Sequence, residues 1–313
     1  VSIPNICSDQ SGFGVWYEPG FNSQQKRFAV QIFTEEGFTG EYIPPRSRAT
    51  VVMPASIALS NFIINKSCLK RKNHYQTMRR ATKHVGEAGI GALDIALWDL
   101  AGKISGQSIS TMLGGYRKKL PAYASTISGD HHSDGLNSPK AYADFAEQCS
   151  EIGYRGFKMH GWINGNHEQE SEMIRTVAER VGNRMDIMYD SACHLKTLTD
   201  AIRVGRVCDE HKLIWYEDPY ADGGLTIRGH RSLKEKVKTP IMIGEHIRNP
   251  ELHTELLISG ATDFLLHTFN KLFFFIQSTS ISSGSALNLI FLDIAICSGD
   301  ASSFSPCFLR KPS

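Results

Sequence analysis

No apolar run in this chain is long enough to cross a membrane. The longest candidate, Ala286 to Cys297, falls short of the ~18–20 residues a spanning helix needs and carries Asn288 and Asp293. No membrane partner is expected. A charge excess is also missing: 34 Lys and Arg against 32 Asp and Glu leave a formal +2, too weak a field to point to nucleic acid or a basic partner. The opening VSIPNICSDQ has neither a basic n-region nor an apolar h-region, so no secretory leader is expected there and the true start is expected upstream. The seven cysteines, an odd number, lie at 7, 68, 149, 193, 208, 297 and 307 without a CxxC pair. That suits thiols in a reducing cytoplasm better than a disulfide framework. What is present is globular composition, 41% hydrophobic, 10% aromatic and 21% charged over 313 residues, enough for about two domains.

Residues 28–43, FAVQIFTEEGFTGEYI, hold two short apolar stretches around Glu36-Gly37 and predict a hairpin. From Ala88, the three- and four-residue spacing of Ile90, Leu93, Leu97 and Leu100 predicts an amphipathic helix towards Lys103, closed by Gly106 and the Gly114-Gly115 turn. Tyr75 to His84 is expected to be helical. Past Leu120 short apolar strands alternate with helical patterns, with strands expected at 121–126, 153–160, 186–190, 213–217, 241–245 and 261–266. This βα rhythm fits a TIM-type barrel, and a doubly wound sheet shares it. After Leu266 the rhythm stops in a serine-rich stretch where only Asp293 and Asp300 are acidic. The expected layout is an α+β segment over 1–118, six βα-type strands over 119–266, and a divergent tail over 267–313 that would leave a barrel incomplete at its C-terminus.

Three strands end in carboxylates: Asp190 in MYDSA, Glu217 in WYEDP and Glu245 in IGEH. One βα unit apart, they are expected on neighbouring strands at the C-terminal end of the barrel, where active sites form. Three converging carboxylates need a cation, and an all-oxygen set points to Mg²⁺ rather than zinc. One strand earlier, Lys158 and His160 in FKMHGW are two apart, so strand alternation sends both to one face. Either could move a proton at a substrate carbon. His194, four residues past Asp190, and His246, directly after Glu245, are weaker candidates for touching substrate from loops. A histidine that supports a neighbouring side chain or is solvated in its loop is the plainer reading of both.

Together these segments resemble the mandelate racemase and muconate lactonizing enzyme group of the enolase superfamily, over about residues 28–266. The carriers are EAGIGALDIALWDLAGKISGQSISTMLGG, then FKMH, MYDSA, WYEDP, IGEH and GATDFLL in that order. The resemblance implies a modified (β/α)7β barrel behind a capping domain. It also implies Mg²⁺ on Asp190, Glu217 and Glu245, with Lys158 and His160 as acid and base. The implied chemistry is Mg²⁺-dependent abstraction of the proton α to a carboxylate through an enediolate. Dehydration of a sugar acid is the leading expectation, with a racemase or epimerase, or a catalytically impaired chain, as alternatives. Many relatives carry Lys at both proton-transfer positions, so His160 is a variant. The group's usual His–Asp dyad would fall beyond Leu266, its Asp at Thr268, and cannot be assigned. The expected partner is a small carboxylate substrate, with self-association of the chain, and specificity is expected from loops around Gly12 to Gly20.

Overall fold

A computed structural model describes residues 2–8, 15–24, 27–44, 49–116, 118–220 and 226–266. Strands β1 (Ser2–Ser8) and β2 (Val15–Gln24) pair antiparallel with a bulge near Ile6. Neither was expected, because Pro4, Pro19 and Gly20 interrupt any apolar alternation. The expected hairpin forms from β3 (Val30–Phe33) and β4 (Thr39–Tyr42), in register from Val30↔Tyr42 to Phe33↔Thr39. Its turn closes through the Thr34 amide to Phe38 O at 3.0 Å, with Gly37 at φ +86°, a conformation glycine adopts without strain.

Helices α1 (Ala49–Ser60) and α2 (Arg71–Ala81) lead to α3 (Ile90–Ser105), then α4 (Ile109–Met112). The first was missed because ATVVMPASIALS combines β-branched residues with an internal Pro54. The third matches its apolar spacing, burying Ile90, Leu93, Ala96, Leu97 and Leu100. A Cβ on Gly40 would collide with Ala96 O and Leu100 Cβ of α3, so the absent side chain lets sheet and helix close together.

From Ala124 the chain alternates strand and helix: β5 (Ala124–Ser125), α5 (Pro139–Glu151), β6 (Gly156–His160), α6 (His167–Val181), β7 (Asp186–Asp190), α7 (Leu198–Glu210), β8 (Tyr216–Glu217), α8 (Ile227–Lys234), β9 (Ile241–Ile243), α9 (Pro250–Ile258) and β10 (Phe264–Leu265). These six strands form one parallel sheet in the order β10-β9-β8-β7-β6-β5. Four of these helices start at side-chain caps, Ser138, Asn166, Thr197 and Asn249, each accepting a first-turn amide. Among the described residues no helix is long and apolar enough to cross a membrane.

Strand alternation sorts the sheet into two faces. Phe157, Met159, Ile187, Tyr189, Tyr216, Ile241 and Ile243 pack with the helices in the main core. On the other face Tyr123, Met188, Trp215, Met242 and Leu266 form a separate apolar cluster. By the same period of two, Lys158, Asp190 and Glu217 belong to this second face, above its apolar floor. Within the described residues β5 and β10 are the sheet edges; the tail from 267 lies outside them.

Candidate active site

Register builds the site. His160 pairs with Asp190, Asp190 with Glu217, and Glu217 with Met242. Three polar residues therefore occupy one level across β6, β7 and β8. Glu245 departs from the expected common level: it lies three positions beyond Met242, in the turn after β9, and is half-buried.

Lys158 Nζ donates to Asp190 Oδ2 at 2.9 Å and to Glu217 Oε2 at 2.8 Å. All three side chains are essentially inaccessible. His160 Nε2 reaches the same Asp190 Oδ2 at 2.8 Å and keeps 24% of its side chain exposed, so it forms the open side of the cluster. Asp190 is pinned further by the Ala192 amide to Oδ1 at 2.7 Å, and Glu217 by Trp215 Nε1 at 3.2 Å. The His160 amide donates to Thr126 Oγ1 at 2.8 Å, tying β6 to the chain after β5.

The electrostatics follow from one buried cation between two buried anions. Burial works to raise the Asp190 carboxyl, but the Lys158 and His160 charges outweigh it and hold the group well below the usual range. Glu217 goes the other way, pushed up by burial and by the Asp190 charge beside it. Burial alone would lower Lys158; Asp190 and Glu217 outweigh it and hold the ammonium well above its ordinary value.

The donor set suits a hard divalent cation. Asp190, Glu217 and Glu245 supply oxygen only, and Glu217 Oε1 is buried without a hydrogen-bond partner, an unsatisfied acceptor of the kind a cation would engage. Their ligand atoms nevertheless do not close within 4.8 Å of one another. The set that does so, among the described residues, is Cys193, Asp218 and His246. Lys158 Nζ takes the place between Asp190 and Glu217.

The two weaker histidines separate. His246 turns to Asp218, its Nε2 3.0 Å from Oδ2. Burial would lower its pKa, and the Asp218 charge outweighs that and raises it. Asp218 in turn is raised by burial. His194 sits in the loop after β7, its amide bonded to Ser191 O at 2.8 Å and its carbonyl packed where a Gly165 side chain would be. The dyad position at Thr268 and the loop at 12–14 lie outside the described residues.

Residues 20–114 match the model of the mandelate racemase / muconate lactonizing enzyme N-terminal domain, and residues 141–271 match the enolase C-terminal domain-like model. The chain belongs to the enolase superfamily. Within it, the capping-domain match places the chain in the mandelate racemase and muconate lactonizing enzyme group, with a TIM-type barrel preceded by an α+β capping domain. It is 29% identical to L-talarate/galactarate dehydratase of Salmonella typhimurium over 61% of this chain and 47% of that protein. Against D-galactarolactone cycloisomerase of Agrobacterium fabrum the identity is 29%, over 78% and 66%. The crystal structure of D-glucarate dehydratase from Agrobacterium tumefaciens complexed with magnesium superposes with a TM-score of 0.75 at 26% identity, covering 84% of this chain and 70% of that one. The superfamily chain thus spans about half to two thirds of the length of these curated relatives.

Sequence reasoning missed Trp215, Tyr123, Cys193 and Asp218. Trp215 was findable, because a residue two before Glu217 must share its face. Tyr123 stacks edge-on against Trp215 at 5.7 Å, its hydroxyl pushed up to about 12 by burial. Cys193 and Asp218 depend on loop backbone that no periodicity encodes.

Proposed function

We propose that the chain holds Mg²⁺ on Asp190, Glu217 and Glu245 and abstracts the proton α to a sugar-acid carboxylate, with loss of the β-hydroxyl as water through an enediolate. The observation that carries this reading is the buried contact of Lys158 with Asp190 and Glu217, with His160 on the same Asp190 oxygen. Lys158 and His160 are held with two of the oxygen donors, Asp190 and Glu217, in one largely buried cluster. The dehydratase names of the relatives support sugar diacids of the talarate, galactarate and glucarate type as the substrate class.

Asp190, Glu217 and Glu245 would hold Mg²⁺, which would supply positive charge where negative charge develops on the substrate carboxylate. Lys158, fully buried between Asp190 and Glu217, is the group that takes the α-proton. His160, at the open side, hands a proton to the departing β-hydroxyl. Trp215 and the Ala192 amide keep the carboxylates in place, so neither proton-transfer group has to move far. Because Lys158 and His160 meet at one carboxylate oxygen, both approach substrate from one side. Elimination can run on one side, whereas racemisation needs groups on opposite faces of the carbon. This geometry favours the dehydratase over the racemase reading.

The test is incubation of the full chain and Mg²⁺ with a panel of aldaric and aldonic acids, followed by detection of the 2-keto-3-deoxy acid that an elimination releases. The expected result is product from at least one diacid, lost in Lys158→Ala. Absence of product from every acid, or undiminished product in Lys158→Ala, would overturn the assignment.

A further inference from the structure

A second cluster at the C-terminal end of the sheet is not used by the reaction above. Cys193, Asp218 and His246 each offer one donor atom, and the three atoms lie within 4.8 Å of one another. Asp218 is 1% exposed, and its Oδ1 has no hydrogen-bond partner. A carboxylate oxygen buried in that state is costly unless something supplies positive charge. His246 supplies it to one oxygen only, at 3.0 Å on Oδ2. Cys193 is half-buried and outside any disulfide, so the cluster opens towards solvent on the thiol side.

The backbone holds these groups together across three loops. The Cys193 amide donates to Asp218 O at 3.1 Å, and Ser191 Oγ donates to the same carbonyl. Cys193 and Asp218 take left-handed backbone conformations, φ +63° and +38°, uncommon for residues with side chains. The loop after β7 and the turn after β8 are thereby locked to each other beside the turn after β9 that carries His246.

We propose that Cys193, Asp218 and His246 bind a zinc-class divalent transition ion, with a fourth position left open, separate from the carboxylates Asp190, Glu217 and Glu245. Sulfur, nitrogen and oxygen donors are the set Zn²⁺ takes, and bonds of about 2.0–2.3 Å in a tetrahedron place ligand atoms roughly 3.3–3.8 Å apart. The observed spacing needs only small side-chain adjustments to reach this. A thiolate and an imidazole discriminate against Mg²⁺, which prefers oxygen throughout. The end of the sheet thus offers two chemically sorted positions, a hard one facing the proton-transfer pair and a softer one at its flank. The proposal stands independently of the reaction, since it uses none of the proton-transfer groups.

Cobalt titration of the full chain in excess Mg²⁺ tests it, because cobalt reports a sulfur ligand through a thiolate charge-transfer band in the near ultraviolet. One cobalt per chain is expected, with that band and the intense visible bands of four-coordination, and Zn²⁺ should displace it. Cys193→Ala should abolish the charge-transfer band and weaken zinc binding by roughly 100-fold or more, beyond the loss typical of an outer-shell change. Asp218→Asn should weaken binding while retaining the sulfur band, and Glu217→Gln should leave the band intact. A chain that shows no sulfur band, or a band that persists in Cys193→Ala, would overturn the site, as would loss of the band with Glu217→Gln in a variant whose circular dichroism is unchanged.

Discussion

Replacing Lys158 with Met removes the charge between Asp190 and Glu217 while keeping a side chain of similar length. Both carboxylates are inaccessible, and each loses a charged hydrogen bond of 2.8–2.9 Å. Removing one partner of a buried ion pair costs about 3–5 kcal/mol, because the remaining charge is uncompensated. Glu217, already pushed up by burial and Asp190, can take a proton and hold the loss towards the lower figure. At roughly 2–4 °C per kcal/mol for a chain of this size, melting should fall by roughly 6–20 °C without divalent ions. Saturating Mg²⁺ should recover more of the melting temperature in Lys158→Met than it adds to the parent, since the ammonium no longer competes for Asp190 and Glu217. Thermal melts of both proteins with and without Mg²⁺ give the comparison. Equal melting without Mg²⁺, or equal Mg²⁺ shifts in the two proteins, would refute both the buried triad and its overlap with a cation position.

Glu170 is pushed up to about 7, chiefly by burial, although Trp162 N and Tyr189 Oη donate to it at 2.8 and 3.0 Å. A carboxyl raised in the folded state stabilises fully below its unfolded value and loses that contribution as pH rises from about 4.5 to 7, a change of about 3 kcal/mol. Urea midpoints at pH 5 and 8 should therefore fall with pH more steeply in the parent than in Glu170→Gln, and parallel slopes would count against a protonated Glu170. Gly161→Ala places a Cβ onto the Glu170 carboxylate and should cost about 1–3 kcal/mol by overpacking, measurable in the same urea series, with near-wild-type stability as the refuting result. Trp215→Phe keeps the apolar floor but removes the donor to Glu217. Losing one hydrogen bond to a charged group, worth about 1.5–3 kcal/mol, should lower stability measurably, and an unchanged urea midpoint would show that the bond carries no weight.

Much of this architecture was legible because the strands after Leu120 announce themselves twice, by apolar runs and by the polar residue ending each run. The MYDSA, WYEDP and IGEH endings located β7, β8 and β9 to within a few residues, and the two-residue spacing of Lys158 and His160 placed both on the Asp190 face. Glu245 was harder, because it depends on where β9 stops: the strand ends at Ile243 and Gly244 turns at φ +128°, lifting the carboxylate off the common level. The state of Lys158 is hard to read from sequence for a related reason. Sequence shows that a lysine lies near carboxylates but not that two of them bracket it at hydrogen-bond distance, and only that arrangement decides whether burial or charge prevails. The Cys193–Asp218–His246 cluster was invisible, since its members come from three loops joined by backbone hydrogen bonds.

Proton abstraction is most directly tested by hydrogen exchange at the substrate α-carbon. In D₂O with Mg²⁺ and a sugar diacid, NMR should show loss of the α-proton signal at a rate set by the chain, abolished in Lys158→Ala and strongly reduced in Glu217→Gln. An α-proton that stays unexchanged in the presence of the folded, Mg²⁺-loaded chain, or that exchanges equally with Lys158→Ala, would contradict the role assigned to this cluster.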